Sequence, residues 1–346
     1  MSGRLKLRRG TVVSADPLEV EVDGERRPAW ADEALLGEMR EGDEVVVNVA
    51  ALDLGLGSGG FDVVHVNLTR GLDGDGVAGD HVMKLNYSSL QHPVTPMERG
   101  VAWFETHGMG AKGTTQAGEV AVLVLPLHGH LAPAAWAAGQ VAPGLRIAYV
   151  QTGGGALPGS LSRDVKQLRE RELICGHATV APAYGGEREA LSTVGALDAV
   201  ASEFECEAAI VGPGPGIIGS DTAYGHGGMA ALDSIHAALS LGLPTLISPR
   251  LSAADPRVRH QGLSHHTRTV LGLLLQPVEV AVPADEQEIL AQLEDTRHQV
   301  RTAPADLEGY ASSGLPTTTM GRTLSEDPLF FAAPLAAGTL LAGMTG

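Results

Sequence analysis

The chain has 346 residues, 44% of them hydrophobic, which suits two cores at ~100–200 residues per domain and excludes disorder as a description of the whole. Its 24 Lys and Arg against 41 Asp and Glu give a formal net charge of −17, which argues against nucleic acid or an anionic membrane as the main partner. Cys175 and Cys206 are its only cysteines, too few for a disulfide framework and without a CxxC motif, and the basic N-terminus leads into no apolar signal segment. A cytoplasmic setting is therefore expected.

Residues 1–107 read as a β-rich domain. The runs Gly10 to Ala15, Leu18 to Val22, Glu44 to Ala50 and Phe61 to Leu68 are Val-rich or alternating, with Asp23-Gly24 and Glu41-Gly42-Asp43 as turns, and they predict a small barrel or sandwich. Residues 108–118 have no apolar periodicity and read as a linker. From residue 119 to 346 short apolar runs alternate with helical ones. Runs of strand length are Val120 to Leu125, Arg146 to Gln151, Ile174 to Ala181, Ala208 to Gly212, Pro244 to Ser248 and Val278 to Val282. Helical spacing recurs from Ala190 to Phe204 and from Met229 to Leu239. The alternation predicts an α/β, doubly wound, mostly parallel Rossmann-like sheet, whose ligands bind beyond the carboxyl ends of the strands. The segment from Pro328 to Gly346 has no charged residue. With Pro334 inside it and no basic flank, it predicts a packed final helix, with a place in a homo-oligomer interface as one use of its surface.

Three stretches beyond these strands carry chemistry. Gly212 to Gly228, GPGPGIIGSDTAYGHGG, follows a strand and leads into an amphipathic helix. Its glycines Gly212, Gly214, Gly216 and Gly219 bring backbone N–H groups and a helix N-terminus to one place, which suits an anion, although the spacing matches neither nucleotide fingerprint. Ser220, Asp221 and Thr222 in the same loop are candidates for ligand contact or for capping the helix. Arg250 to Thr267, RLSAADPRVRHQGLSHHT, gathers Arg250, Asp255, Arg257, Arg259, His260, His265 and His266. The arginines suit an anion; the histidines, with Asp255, suit acid–base work near neutral pH. His128-Gly129-His130 after the first strand is joined by Gly153, Gly154 and Asp164 after the second. The loops at the expected carboxyl edge hold six of the 13 histidines, where an even spread would place about two. His128 or His130, with His265 or His266 and Asp164 or Asp255, is a combination that zinc, manganese or iron accepts, which makes a divalent metal a candidate cofactor. Cys175 and His177 face the same side of a strand and form a further candidate pair, against the commoner reading of a packed cysteine.

LGLGSGG at 54–60, GPGPGIIG at 212–219, ADPRVRHQGLSHHT at 254–267, and TTMGR at 318–322 with Asp327, Phe330 and Phe331 together resemble an uncharacterised bacterial protein family that carries only a domain-of-unknown-function label. The similarity runs along nearly the whole chain and is most specific around SHHT. It implies a bacterial cytosolic protein whose two domains belong together, and it implies no activity. The function expected from the residues is the binding of a small anionic or phosphorylated ligand in a Gly- and His-rich pocket, by an enzyme or, in the alternative, by a non-catalytic sensor or assembly protein.

Overall fold

The computed structural model describes residues 3–55, 59–74, 82–98, 119–294 and 296–345. The expected linker at 108–118 and the centre of the 54–60 glycine loop lie outside these residues. The chain divides into two compact units, Met1–Val94 and Thr95–Gly346.

In the first unit, β1 (Leu7–Ala15), β2 (Leu18–Val22), β3 (Glu25–Trp30), β4 (Glu44–Asn48) and β5 (Asp62–Asn67) close a barrel in the order β1-β2-β3-β5-β4. Every pairing is antiparallel except β3 with β5. Val12, Val20, Val22, Val45, Val47 and Val64 alternate inward to fill it. Gly10 lets β1 and β2 approach, because a Cβ there would stand 2.6 Å from Val20 Cγ1. Strand β3, ERRPAW, went unread as a strand because charges and a proline mask its alternation.

The second unit holds an eight-stranded sheet: β6 (Ala121–Val124), β7 (Ile147–Thr152), β8 (Gly176–Val180), β9 (Arg188–Ala190), β10 (Ala208–Pro213), β11 (Thr245–Ile247), β12 (Glu279–Pro283) and β13 (Gln299–Ala303). Their order is β9-β8-β7-β10-β6-β11-β12-β13, and all neighbours run parallel. The central strands are buried on both faces, so they read as continuous apolar runs. In β6, for example, Ala121 and Leu123 face one core while Val122 and Val124 face the other.

Helices α1 (Leu131–Val141), α2 (Arg163–Glu170) and α7 (Pro328–Ala342) cover one face, and α3 (Thr193–Phe204), α4 (Ala230–Ser240), α5 (His265–Leu273) and α6 (Gln287–Leu293) cover the other. The uncharged C-terminal segment is thus a packed helix. Phe330, Phe331 and Leu335 are buried in the core, and Gly338 lies against the Ala134 carbonyl of α1. No described helix is long and apolar enough to cross a membrane.

This winding creates two neighbouring switch points. Strand β7 leads to β8 through α2, while its neighbour β10 leads the other way to β11 through α4. Likewise β6 leads back to β7 through α1, while adjacent β11 leads on to β12 through α5. Loops diverge from the sheet's carboxyl edge at both places, and that is where an open α/β sheet binds ligands.

Candidate functional site

The first switch point is filled by backbone. A Cβ on Gly154 would overlap the Gly227 carbonyl, one on Gly155 or Gly214 would overlap the facing Gly214 or Ala156 carbonyl, and one on Gly212 would press on Leu125. Gly153 borders Pro182 in the same way. Four of the expected ligand glycines, Gly153, Gly154, Gly212 and Gly214, therefore serve close packing; Gly216, in left-handed conformation at φ 73, has open space around it. Gly219 bridges to His226 across the base of the loop. Within that loop Ser220 N–H and Oγ–H both donate to Gly225 O, and Gly225 N–H donates to Thr222 Oγ1. Ser220 and Thr222 therefore close the loop rather than cap α4, which starts eight residues later at Ala230 and has no side-chain cap. Asp221 pairs with Arg259.

Beside this loop lies a cluster of four imidazoles. His226 stacks on His266, centroids 3.6 Å apart and planes 5° from parallel. His265 lies 4.4 Å from His266 and 5.7 Å from His226, and His260 lies 4.8 Å from both His265 and His266. The chain arranges this through a helix start. Ser264 caps α5, its Oγ accepting from His266 N–H and its proton reaching His260 Nδ1 at 2.7 Å. His226 Nε2–H donates to Ala223 O at 3.1 Å, which fixes the tautomer and leaves Nδ1 with its lone pair. That atom and His265 Nε2 are buried without a hydrogen-bond partner.

Burial first, then nearby arginine or histidine charge, lowers the pKa of His260 to about 3 and of His266 to about 2, and lowers those of His226 and His265 as well. All four are neutral at physiological pH; His260 Nδ1 is engaged by Ser264 and His266 Nδ1 faces Arg250, whereas His226 Nδ1 keeps an unshared lone pair. Among the described residues, the close group of ligand-bearing side chains is His226, His265 and His266, whose ligand atoms lie within 4.8 Å of one another. It replaces the expected combination of His128 or His130 with Asp164 or Asp255, which is not assembled because those residues belong to other networks.

Asp255, fully buried, is a hub for guanidinium groups. It accepts from Arg257 Nε and Nη2 at 2.9 Å each and from Arg250 Nη2 at 3.1 Å, with Arg322 Nη2 at 3.8 Å. Burial opposes its charge, but the bonds from Arg257 and the charges of Arg257 and Arg250 outweigh it and hold the carboxyl well below its usual range. Asp255 is thus a permanent anion that positions arginines, and it does not cycle a proton near neutral pH. Asp327, also buried, accepts from Ser252 Oγ at 2.6 Å, Ala253 N–H at 2.9 Å and Arg322 Nε at 3.0 Å. Arg250 Nη1 lies 3.3 Å from His266 Nδ1, and burial pushes the Arg250 pKa down to about 10, still charged at neutral pH. Arg250 Nε and Arg322 Nη2 are buried without a hydrogen-bond partner.

His128 belongs to a second network. Its Nδ1–H points to Pro213 O at 3.2 Å and its Nε2 accepts from Ser162 Oγ at 2.7 Å, with Asp164 at 3.9 Å. Ser162 also caps α2. His130 Nδ1 meets Ser248 Oγ at 3.0 Å while its Nε2 is buried unpartnered, and burial, with the Arg250 charge, lowers its pKa to about 3. His177 stacks on Tyr149 at 5.4 Å and bonds Gln151, whereas Cys175 bonds Cys206 and the Phe204 carbonyl. The Cys175–His177 pair is therefore replaced by two packed thiols.

His226 has no role legible from its loop, and Arg322 and Asp327 have none beyond their motif. The available signal was His226-Gly227-Gly228 at the start of α4.

Fold and site together define an α/β protein with an N-terminal β-barrel and an imidazole–guanidinium cluster at the carboxyl edge of its parallel sheet. The family model described as protein of unknown function (DUF3866) matches residues 28–338, and the chain belongs to that family. No curated protein and no solved structure matches it.

Proposed function

We propose that this protein binds a small anionic, phosphate-bearing ligand at the carboxyl edge of the sheet, against the guanidinium groups of Arg250 and Arg322 and beside the four imidazoles. One observation carries the reading: Arg250 Nε and Arg322 Nη2 are buried with no hydrogen-bond partner, and Arg322 Nη2 reaches Asp255 only at 3.8 Å. A buried guanidinium N–H without a partner is costly, and a phosphate oxygen satisfies it with a charge-assisted bond. Around the hub, three arginines (Arg250, Arg257 and Arg322) face two carboxylates, Asp255 and Asp327, so the group carries an excess positive charge inside an acidic protein. A bound anion would offset the arginine charge that helps to lower the pKa values of His260, His265 and His266, moving them towards the range in which an imidazole takes or gives a proton. His128, held on Ser162, is a further base in the neighbouring network.

The test is thermal stability in inorganic phosphate, pyrophosphate and a nucleoside monophosphate, with chloride at equal ionic strength as control. A ligand that binds only the folded chain stabilises it by about 2.7 kcal/mol at a hundredfold excess over Kd. Stabilisation by one of these anions, lost in Arg322→Gln, is expected. Equal melting in all four salts would remove the reading. Loss of turnover by about a hundredfold or more on removing the acid–base histidine would mark an enzyme, whereas binding alone marks a sensor.

A further inference from the structure

The four imidazoles are more than a proton reservoir. His226 is nine-tenths buried, its Nε2 proton is committed to Ala223 O, and its Nδ1 lone pair points into the cluster without a partner. His265 Nε2 is a second buried nitrogen without a partner. Gly228 borders the space between the rings: a Cβ there would stand 3.1 Å from His226 Nδ1 and 3.5 Å from His266 Nδ1. A glycine thus keeps clear the volume towards which two ring nitrogens turn. A second-sphere carbonyl fixing a histidine tautomer is the arrangement that presents imidazole to a metal.

We propose that His226, His265 and His266 bind one first-row divalent metal ion of the zinc type, with at least one coordination position open to water or to an anion. The inference rests on the same cluster as the anion-binding reading but on different atoms of it. Three imidazoles with an open position form a ligand set that zinc accepts at ~2.0–2.1 Å, which places nitrogens about 3.3 Å apart. The ligand atoms here lie within 4.8 Å of one another, so side-chain rotation closes the set. His226 and His266 must tilt out of their parallel stack, because a metal lies in the plane of each ring it binds. Arg250 Nη1, 3.3 Å from His266 Nδ1, must release that lone pair, and its guanidinium then becomes available to an anion on the metal. Three neutral ligands leave the ion's double charge uncompensated, and the neighbouring arginines add to it. The site therefore accepts the cation best together with an anion, which couples metal and phosphate affinity.

The experiment uses the full chain without a histidine tag, stripped with chelator and dialysed, and titrated with Zn2+ or Co2+ alone. One equivalent is expected, with the visible spectrum of low-coordinate Co2+ and an X-ray absorption edge fitted by imidazole nitrogens at zinc distances. Affinity is expected to fall at least tenfold in His226→Ala and in His265→Ala, and to stay unchanged in His65→Gln in the barrel unit. Gly228→Ala retains all three imidazoles and fills the space between them, and it too should weaken binding about tenfold. Less than a tenth of an equivalent bound, a metal environment of oxygen ligands alone, or undiminished binding in the folded variants would overturn the inference. If the histidine variants fail to fold, the absorption spectrum of the unaltered protein decides it. Phosphate binding to the stripped protein is scored separately: its presence without metal uptake leaves the anion reading standing and the metal inference overturned, and the converse separates them the other way.

Discussion

Replacing Gly338 by alanine tests the seat of the C-terminal helix. A Cβ at 338 would stand 2.1 Å from Ala134 O, 2.9 Å from Ala134 C and 3.0 Å from Ala134 Cα. A carbon–oxygen contact needs about 3.3 Å, so α7 and α1 must separate by roughly 1 Å, and neither alanine nor a backbone carbonyl has a rotamer that relieves the overlap. Overpacking costs about 1–3 kcal/mol where side chains adjust, and this contact lies at or above the top of that range. A gap of ~0.5–1 Å also forfeits a quarter to a half of each dispersion contact, and Phe330, Phe331, Leu335 and Leu341 all lie fully buried along the helix. The gain in helix propensity from Gly to Ala, about 1 kcal/mol, offsets only part, leaving a loss of about 2–4 kcal/mol. At ~2–4 °C per kcal/mol for a unit of this size, the α/β unit should melt about 5–15 °C lower. Gly272→Ala in α5 is the control, because that glycine has open space around it, and it should be neutral or up to about 1 kcal/mol stabilising. Circular dichroism melts of the three proteins measure this. A Gly338→Ala variant as stable as Gly272→Ala would refute the close approach of α7 to α1.

Asp327→Asn removes the charge that holds Ser252, Ala253 N–H and Arg322; losing one side of a buried pair costs about 3–5 kcal/mol, and an unchanged urea midpoint would contradict the assigned hub. Stability should fall on acidification from about pH 6.5. His130 and His260 have folded pKa values lowered to about 3, by burial first and then by the Arg250 charge, so they bind protons only when the chain unfolds, and their contribution, present above pH 6.5, is lost as pH drops towards 3. Each such group costs about 1.4 kcal/mol per pH unit in that window. Urea midpoints at pH 7.5, 6 and 5 measure the slope, and a flat profile over that range would show that these histidines are not buried neutral.

The parts of the fold that read clearly from the residues are those where burial leaves one solution. Leu18–Val22 in the barrel and Ala208–Pro213 in the sheet are legible because an inward alternation and a run buried on both faces have different periods. The outer strands Arg188–Ala190 and Gln299–Ala303 carry no apolar run because most of their residues are polar and at least partly exposed, so their sequences hold no strand signature. Ala190, read as the start of a helix, is instead the last residue of β9, and α3 begins at Thr193 behind its cap Ser192. At the site, Arg250, His260, His265 and His266 stood out because one loop carries them all. His226 comes from a different switch-point loop and meets them only in the fold. The glycines around 154 and 214 looked like an anion cradle, yet Gly154, Gly155 and Gly214 each face a backbone carbonyl of a neighbouring loop; sequence cannot distinguish a glycine that admits a ligand from one that admits another loop's carbonyl.

Charge placement connects these observations. At physiological ionic strength the Debye length is about 8 Å, so the net −17 of the whole chain does little to set the potential inside a buried cluster, and the nearest few groups decide it. There Asp255 is a fixed anion because arginines surround it, Asp327 is tied to Arg322, and the histidines are neutral because burial and the hub arginines disfavour their protonation. An added proton would increase an existing positive excess, whereas an added anion would relieve it and satisfy Arg250 Nε and Arg322 Nη2. A cation can enter only at the imidazole lone pairs, and its charge then strengthens the demand for an anion. The phosphate affinity of the metal-loaded protein should therefore exceed that of the stripped protein, and by linkage phosphate should raise metal affinity by the same factor.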